Sequence, residues 1–287
     1  MKKLLFIINP RSGKRHSIDI ETLARQRLDP SAFRLEFVRT EYAGHAVELA
    51  ADSDADIVVA VGGDGTVNEV ARGLAGSGKT LGIIPTGSGN GLARHLGISC
   101  KPEKALRTLS LMNTSTIDCG VMNGRLFCCS CGAGLDADVS AMFASSKKRG
   151  LGTYIVDAFK VWKDFKPGHY KLSVDGRETE TDAVLVTVGN ADQWGNNAFI
   201  CPEAVVDDGF LDITIIKPFR SVEIPVLAFL LMTGRLKKSK LVTFIRGREV
   251  CISREKEGWA HFDGECIRQG NEIRINLLAA ALKVIKA

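Results

Sequence analysis

The sequence lacks any long hydrophobic run. Its longest apolar stretch, Ile224–Met232, is far shorter than the ~18 residues that a membrane-spanning helix needs. The N-terminus has a positive start, but Asn9 and Pro10 interrupt the apolar segment Leu4–Ile8 too early for the core of a secretory signal. These absences exclude a spanning protein and predict a cytoplasmic location.

The sequence also lacks the marks of a disulfide framework. Its eight cysteines are spread over 287 residues without a secretory signal, which predicts reduced thiols. Cys128 and Cys131 have the spacing of a zinc-binding pair, but no second pair and no nearby histidine completes a ligand set. We therefore interpret both as buried core residues.

What is present is the composition of an ordinary globular protein, with 45% hydrophobic and 25% charged residues. At roughly 150 residues per domain, the length predicts two domains. The formal net charge of +5, from 38 Lys and Arg against 33 Asp and Glu, is too small to specify an anionic partner.

The first part of the chain alternates short apolar runs with segments of helical period. This alternation predicts a mainly parallel sheet covered by helices. Each run ends in turn residues, and ligands of such sheets bind at the carboxyl ends of the strands. We expect the binding site there. The runs are Lys3–Ile8, Leu35–Arg39, Ile57–Val61, Leu81–Ile84 and Thr116–Val121.

From about residue 125 the pattern changes to period-2 strands and hairpin signals, which predicts a β-rich second domain. Two helical stretches interrupt it, Tyr154–Phe165 and Val222–Leu236. The last apolar run, Glu272–Ile285, is expected to return to the first domain.

One segment matches the sequence pattern of a phosphate-binding motif but not its structural context. Gly73–Thr80 matches the P-loop spacing, but a helical pattern precedes it and a strand pattern follows. A P-loop needs the reverse order, so that the amides of a helix N-terminus meet the phosphates. We interpret this segment as a helix-to-strand turn.

The segment Val61–Glu69 has the required strand-turn-helix order. Its glycines, Gly62, Gly63 and Gly65, allow backbone amides to approach a phosphate closely. Asp64 would be repelled by phosphate unless a cation lies between them, which implies Mg²⁺ with a nucleotide. Another glycine-rich turn follows a strand at residues 85–91, and the turn at residues 9–14 adds a hydroxyl and two cations. Three such turns at one sheet edge fit a polyphosphate.

At these motifs the chain resembles the diacylglycerol kinase catalytic-domain superfamily, which includes sphingosine and ceramide kinases and bacterial soluble lipid kinases. GGDGT is shared with NAD kinases, whereas the two C-terminal motifs separate lipid kinases from them. The matches occur in family order: NPxSG at Asn9–Gly13, GGDGTxNE at Gly62–Glu69, a PxGSGNxLAR-like turn at Pro85–Arg94, IDxG at Ile117–Gly120, DDGxLD at Asp207–Asp212 and DGE at Asp263–Glu265.

The resemblance implies an α/β plus β fold. A Rossmann-like nucleotide domain would cover residues 1–122 with a return at 276–287, a β-sandwich domain for the lipid substrate would cover 123–275, and the active site would lie in the cleft between them. It also implies ATP as the phosphoryl donor, Mg²⁺, and contacts to both from residues matching the family's motifs. Asp64 and Asp118 would hold the catalytic Mg²⁺. The nucleotide-binding positions would be Asn9, Ser12, Gly13, Thr40, Gly62, Gly63, Gly65, Thr66, Asn68, Glu69 and Ser88. Thr40 by itself is more typical of a helix cap.

Two C-terminal turns carry further implied roles. In the turn after Val205, the carbonyls of Val205 and Phe210 would join the Asp208 carboxylate around a structural Mg²⁺, since oxygen ligands suit this ion; an ordinary Asp-Gly hairpin is the alternative. The Asp263-Gly264-Glu265 turn resembles the motif of the proton acceptor, and the sequence does not decide between Asp263 and Glu265.

The chain departs from one family pattern. Many bacterial diacylglycerol kinases have Asn-Asp after the glycine-rich turn, and this chain has Asn90-Gly91, which resembles sphingosine kinases instead. The departure assigns more of the metal binding to Asp64 and Asp118. It also makes a sphingoid long-chain base the alternative to diacylglycerol.

The expected partner is a lipid at a membrane surface, with peripheral contact at the inner membrane face and no nucleic acid; a homodimer stays open. Basic residues flank both predicted helices of the second domain, at 147–149 and 235–240. Such residues attract anionic headgroups, or they end a core helix by complementing its dipole.

We therefore predict an ATP- and Mg²⁺-dependent lipid kinase that forms phosphatidic acid from diacylglycerol. The alternatives are a sphingoid-base kinase, an NAD-kinase-like enzyme with a soluble substrate, and a nucleotide-binding regulator without catalysis.

Overall fold

The computed structural model describes residues 1–13, 19–145 and 160–287, apart from the side chains of residues 143–145. The chain divides into two compact units, one formed by Met1–Asp118 with Ala279–Ala287 and the other by Cys119–Leu278. None of the helices built by the described residues combines the length and apolar character that crossing a bilayer requires. The domain limits and the cleft expected from the sequence stay predictions.

The first unit contains the predicted parallel sheet with helices. Its strands lie in the order β2, β1, β3, β4, and the end of β16 pairs in parallel with β4. The strands are β1 (Lys2–Ile8), β2 (Phe33–Arg39), β3 (Ile57–Gly62), β4 (Thr80–Pro85) and β16 (Glu272–Ile285). The helices are α1 (Ile20–Arg27), α2 (His45–Ala51), α3 (Asp64–Leu74), α4 (Gly91–His95) and α5 (Pro102–Leu111).

Hydrophobic burial explains these elements. Every residue of β3 and β4 is buried, as expected for central strands of a parallel sheet with covered faces. The helix α3 turns its apolar residues inward. It can cross α2 closely because Gly73 has no Cβ, and a Cβ there would lie 2.6 Å from the carbonyl oxygen of Val47. The predicted helix-to-strand turn at residues 73–80 is confirmed, since α3 ends at Leu74 and β4 begins at Thr80.

The second unit is a β-sandwich with helices. One face is part of a mixed sheet in the order β16, β13, β8, β9, and the other is an antiparallel sheet in the order β12, β11, β10, β7, β14, β15. Apolar residues of both sheets share one core cluster, Leu172, Val186, Ile213 and Ile273 among them. The strands are β5 (Thr114–Met122), which begins in the first unit, β6 (Arg125–Phe127), β7 (Ser130–Gly134), β8 (Gly168–Val174), β9 (Arg177–Ala183), β10 (Leu185–Gly189), β11 (Leu211–Ile216), β12 (Val242–Gly247), β13 (Glu249–Arg254), β14 (Gly258–Phe262) and β15 (Glu265–Gln269).

In its described part this unit contains the helices α6 (Leu135–Ser145) and α7 (Ile224–Met232), besides the short helical segment at residues 160–164. The predicted helix Val222–Leu236 was too long: the chain leaves the helix after Met232, and Gly234 has a left-handed φ of 66° that ends it. Of the predicted helix Tyr154–Phe165, residues 160–164 are helical, and residues 154–159 lie outside the described residues. The basic segment 147–149 also lies outside them.

The cysteines are free thiols. Cys128 and Cys131 are fully buried, which confirms their interpretation as core residues. Burial raises the pKa of Cys131, and a hydrogen bond with Cys119, followed by burial, raises the pKa of Cys128.

Candidate functional site

The carboxyl ends of four parallel strands meet at one edge of the first unit. Ile8 pairs with both Arg39 and Val61, and Gly62 pairs with Pro85. The loops after these strands therefore leave the sheet side by side. The predicted nucleotide-binding residues lie on these loops, at the end of β3 or in the first two turns of α3, and Thr40 follows β2.

The first loop is held to its neighbours by side-chain hydrogen bonds. Asn9 Nδ2 donates to Thr66 Oγ1 at 2.9 Å, and Asn9 Oδ1 accepts from the Arg11 amide at 2.9 Å. Thr86 Oγ1 donates to Ser12 Oγ at 3.2 Å. The structure thus brings Asn9, Ser12 and Thr66 together. It adds Thr86, which the sequence motifs did not single out.

The glycines let the loops touch. A Cβ at Gly87 would lie 2.5 Å from the Gly63 Cα, and one at Gly13 would lie 2.1 Å from the Thr86 carbonyl oxygen, so only glycine fits at either position. Gly65 lies in the first turn of α3, and Ser88 is exposed at the tip of its loop. Asn68, in contrast, is 1% exposed and lies within the core face of α3.

Asp64 joins two of these loops. It is the first residue of α3, and its two carboxylate oxygens accept the amides of Asn90 at 2.8 Å and Gly91 at 2.6 Å. These amides begin α4, so Asp64 caps that helix from a neighbouring loop. A carboxylate offers two oxygens with about four acceptor positions, and such oxygens suit a hard cation such as Mg²⁺.

Glu69 has a similar structural contact. Its carboxylate accepts the amides of Gly44 at 2.9 Å and Ala46 at 3.2 Å, at the N-terminus of α2. The N-cap residue of α2 is Gly44. Thr40 therefore does not cap this helix; it follows β2 at the sheet edge, with its amide bonded to the Ile8 carbonyl at 2.9 Å.

Asp118 is buried near the end of the first unit's share of β5. Its Oδ1 accepts the amide of Ala280 at 2.7 Å, where Ala280 has a left-handed φ of 48°. The carboxylate thus stabilises an irregular backbone position in β16. Its predicted partnership with Asp64 on one ion stays a prediction.

The Asp263-Gly264 pair forms the tight hairpin between β14 and β15. Both residues have positive φ, 44° and 83°, as a type I′ turn requires. The Asp263 carboxylate accepts three successive amides: Cys128 at 2.7 Å, Cys129 at 2.8 Å and Ser130 at 3.1 Å. Asp263 is 7% exposed, whereas Glu265 at the start of β15 is exposed.

A buried polar cluster lies next to this hairpin, and sequence reasoning missed it. Asp136 Oδ2 lies 2.8 Å from His261 Nε2 and accepts Thr187 Oγ1 at 2.8 Å. The available signal was polar residues inside the otherwise apolar strands β10 and β14. Burial, and then the charge of Asp136, raise the pKa of the neighbouring Asp138, and burial raises the pKa of Tyr170 to about 12.

In the predicted structural-metal turn, a guanidinium faces the carboxylates. Asp208 accepts the Phe210 amide at 3.1 Å and forms an ion pair with Arg246, whose Nε also lies 3.4 Å from Asp212 Oδ1. The other oxygen of Asp212 is buried with no hydrogen-bond partner among the described residues. Burial raises the pKa of Asp212. Its oxygen fits a further cation, and the predicted ligation by Val205, Asp208 and Phe210 stays a prediction.

Comparison with known proteins identifies the family. The diacylglycerol kinase catalytic domain matches residues 3–122, and the YegS C-terminal NAD kinase beta sandwich-like domain matches residues 129–286. The chain belongs to the diacylglycerol kinase family of lipid kinases. The recognition, the fold class and the enzyme class predicted from the sequence are confirmed.

Individual relatives agree with this assignment. The chain is 28% identical to a diacylglycerol kinase of Bacillus subtilis (strain 168), over 92% of this chain and 90% of that protein. It is 33% identical to a "Probable lipid kinase YegS-like" of Pseudomonas aeruginosa (strain UCBPP-PA14), over 83% and 79%.

Solved structures share the fold. A Bacillus anthracis str. Sterne protein proposed to be a diacylglycerol kinase superposes with a TM-score of 0.82 at 28% identity, covering 100% of this chain and 95% of that one. An NAD kinase from Archaeoglobus fulgidus, solved with ATP, superposes with a TM-score of 0.56 at 16% identity, covering 99% and 93%, which shows the fold alone.

Proposed function

We propose that this lipid kinase transfers the γ-phosphate of ATP to the free hydroxyl of diacylglycerol and so forms phosphatidic acid. The observation that carries the proposal is the sheet edge of the first unit, where Asp64 ties the loop at Gly63 to the loop at Gly87. Relatives named diacylglycerol kinase support this choice of substrate.

The nucleotide phosphates would lie against this edge. Backbone amides at the N-terminus of α3 and in the glycine-rich loops offer hydrogen bonds to anionic oxygens. The hydroxyls of Ser12 and Thr66 add side-chain donors, and Asn9 fixes the position of Thr66 through their 2.9 Å hydrogen bond. The role of this edge is to bind and orient the transferred group, which supplies much of the catalysis in phosphoryl transfer.

Asp64 is the residue best suited to hold Mg²⁺ with the nucleotide. Its carboxylate is oriented by two amides, and Mg²⁺ is characteristically bound by one or two carboxylates together with substrate phosphates. Asp118 is the second proposed ligand. Bound there, the ion would neutralise charge on the phosphates.

The acceptor hydroxyl must lose its proton, and the hairpin at Asp263–Glu265 supplies two carboxylates. Three amides occupy most of the acceptor capacity of Asp263, which suits an anchoring role. We therefore assign proton acceptance to Glu265, and the positioning of the hairpin to Asp263.

The direct test is transfer of radiolabel from γ-labelled ATP, with Mg²⁺, to a mixed lipid extract, followed by separation of the products. Labelled phosphatidic acid is the expected result. A labelled sphingoid phosphate would instead identify a sphingoid long-chain base as the substrate, which is the alternative suggested by Gly91. Label on NAD instead of lipid, or nucleotide binding without turnover, would overturn the lipid-kinase mechanism.

A further inference from the structure

The helix α7 exposes a hydrophobic face. Its sequence, IPVLAFLLM, is apolar on every side, a composition that ordinarily places a helix inside a core. In this structure Leu227 is the single buried residue of the helix. Val226 is 60% exposed, Phe229 is 58% exposed, and Val222 just before the helix is 71% exposed. The spacing of these three residues, four and then three positions, places them on one side of the helix.

The other side of the helix anchors it. Leu230 and Leu231 pack against a buried cluster that contains Ile200 and Leu236. The exposed face is thus presented by a helix with a fixed orientation. Contiguous apolar surface of this kind marks an interaction site more often than it marks a free surface.

Basic residues flank this helix along the chain. Residues 217–240 contain six basic residues and one acidic residue, a net charge of +5 that equals the formal charge of the whole chain. All six basic side chains are exposed, and one of them, Lys237, pairs with Glu203. The acidic residue, Glu223, accepts the amide of Arg220 at 2.8 Å. The basic residues are Lys217, Arg220, Arg235, Lys237, Lys238 and Lys240.

A neighbouring helical turn extends the same surface. Trp162 stacks on Phe219 with a centroid distance of 4.6 Å, and its Nε1 donates to Ser221 Oγ at 3.1 Å. Lys160, Lys163 and Lys166 are exposed beside this tryptophan. A half-buried tryptophan with its polar edge satisfied is typical of side chains at a membrane interface.

We propose that the α7 surface, defined as Val222, Val226 and Phe229 with the basic residues of 217–240, docks the enzyme on the surface of an anionic lipid bilayer. The apolar side chains would enter the boundary between headgroups and acyl chains, and the cations would contact anionic headgroups. A second copy of the chain is disfavoured as the occupant, because a two-fold contact would bring like-charged segments together. The inference rests on the proposed lipid substrate and adds the route by which the enzyme reaches it.

The test is sedimentation of the full chain with vesicles, without ATP. Vesicles of phosphatidylcholine with phosphatidylglycerol are compared with vesicles of phosphatidylcholine alone. We expect binding to the anionic vesicles, weakened by salt. The triple variant Arg235→Gln, Lys238→Gln, Lys240→Gln is expected to bind them about a hundredfold more weakly, since each cation near such a surface contributes about fivefold. The double variant Val226→Ser, Phe229→Ser is expected to bind at least tenfold more weakly.

Matched controls lie on α5. Leu111 is 66% exposed, and Lys101, Lys104 and Arg107 are exposed there. Leu111→Ser, and the triple change of these cations to Gln, should leave vesicle binding unchanged. An equal loss of vesicle binding in the control and α7 variants would overturn the proposal. It would also be overturned if the wild type binds no vesicles and instead forms a dimer that Phe229→Ser dissociates.

A separate readout distinguishes docking from catalysis. Phosphorylation of short-chain dioctanoylglycerol, dissolved as a monomer, should be equal in the wild type and the α7 variants, while their activity on vesicle-borne diacylglycerol falls. Absence of activity on the soluble lipid in the wild type would count against the proposed function. Vesicle binding unaffected by the α7 variants would count against the docking surface.

Discussion

The motif carboxylates of the two units perform the same structural task to different degrees. In the first unit Asp64 accepts two amides and Glu69 accepts two, each at the start of a helix. In the second unit Asp263 accepts three amides of one strand connection and is nearly buried. The comparison shows that a motif acid can be needed for the loop itself, since each of these carboxylates holds backbone amides in place.

Asp64→Asn is expected to have the largest effect. The amide side chain still presents one oxygen to the α4 N-terminus but loses the charge needed for a cation. We expect at least a thousandfold loss of phosphoryl transfer, together with a loss of stability of about 1–3 kcal/mol, because one of the two amides is left unpaired. Parallel measurements of kcat and thermal unfolding check this. Activity near that of the wild type would remove Asp64 from the metal site.

Asp263→Asn is expected to lower the stability of the fold, because the buried carboxylate of Asp263 accepts three backbone amides. Asparagine offers one acceptor oxygen where the carboxylate offered two, which leaves a buried amide unpaired at a cost of about 1–3 kcal/mol. Chemical denaturation of the variant measures this loss. An unchanged free energy of unfolding, together with lost activity, would reverse the roles assigned to Asp263 and Glu265.

Glu265→Gln is the complementary change on the same hairpin. Glu265 is exposed, so we expect no change in stability and a fall in kcat of about 10²–10⁴, the usual contribution of a general base. The KM for ATP should be unaffected. Full activity of this variant would transfer the proton-accepting role to Asp263.

A second Asp-Gly hairpin serves as the internal control. Asp175-Gly176 joins β8 to β9 with φ values of 48° and 78°, and Asp175 accepts the amides of Arg248 and Glu249, both at 2.9 Å. Asp175→Asn should therefore lower stability slightly and leave kcat unchanged. A loss of activity here would show that hairpin geometry, and not a carboxylate in the DGE motif, controls the rate.

The smallest expected effect is the pH dependence of the same hairpin. The hydrogen bonds from Glu249 and Arg248 lower the pKa of Asp175 below its usual value of 3.8. A lowered pKa means that the stabilisation is present above about pH 4 and is lost as the pH falls through the folded-state pKa. The wild type should thus lose stability in acid slightly more steeply than Asp175→Asn, as thermal unfolding across pH 2–5 would show.

The strands of the first unit could be predicted because apolar runs and turn residues recur together, as at Ile57–Val61 before Gly62. The period-2 strands of the second unit were predictable for the same reason. The edge strand β9, with the sequence RETETDA, could not be predicted, because its polar residues contain no apolar stripe. It forms a strand because it pairs with β8.

Side-chain partners could not be predicted at all from spacing. Asp64 meets amides 26 and 27 residues away and Asp263 meets amides 133–135 residues away, and no local pattern encodes those pairs. The apolar composition of Ile224–Met232, with its flanking basic residues, left a core helix and a helix in contact with a membrane surface equally open. Its exposure in the folded chain is a tertiary property that composition does not specify.

The course of β16 has a consequence for how the protein forms during synthesis. Glu272–Asn276 pairs with β13, and Lys283 and Val284 pair with β4, which was made about two hundred residues earlier. The sheet of the first unit therefore gains this strand only after Lys283 and Val284 have been translated. Until then the open side of β4 exposes unpaired backbone groups, so we expect the nascent N-terminal unit to depend on chaperones until the second unit has been translated.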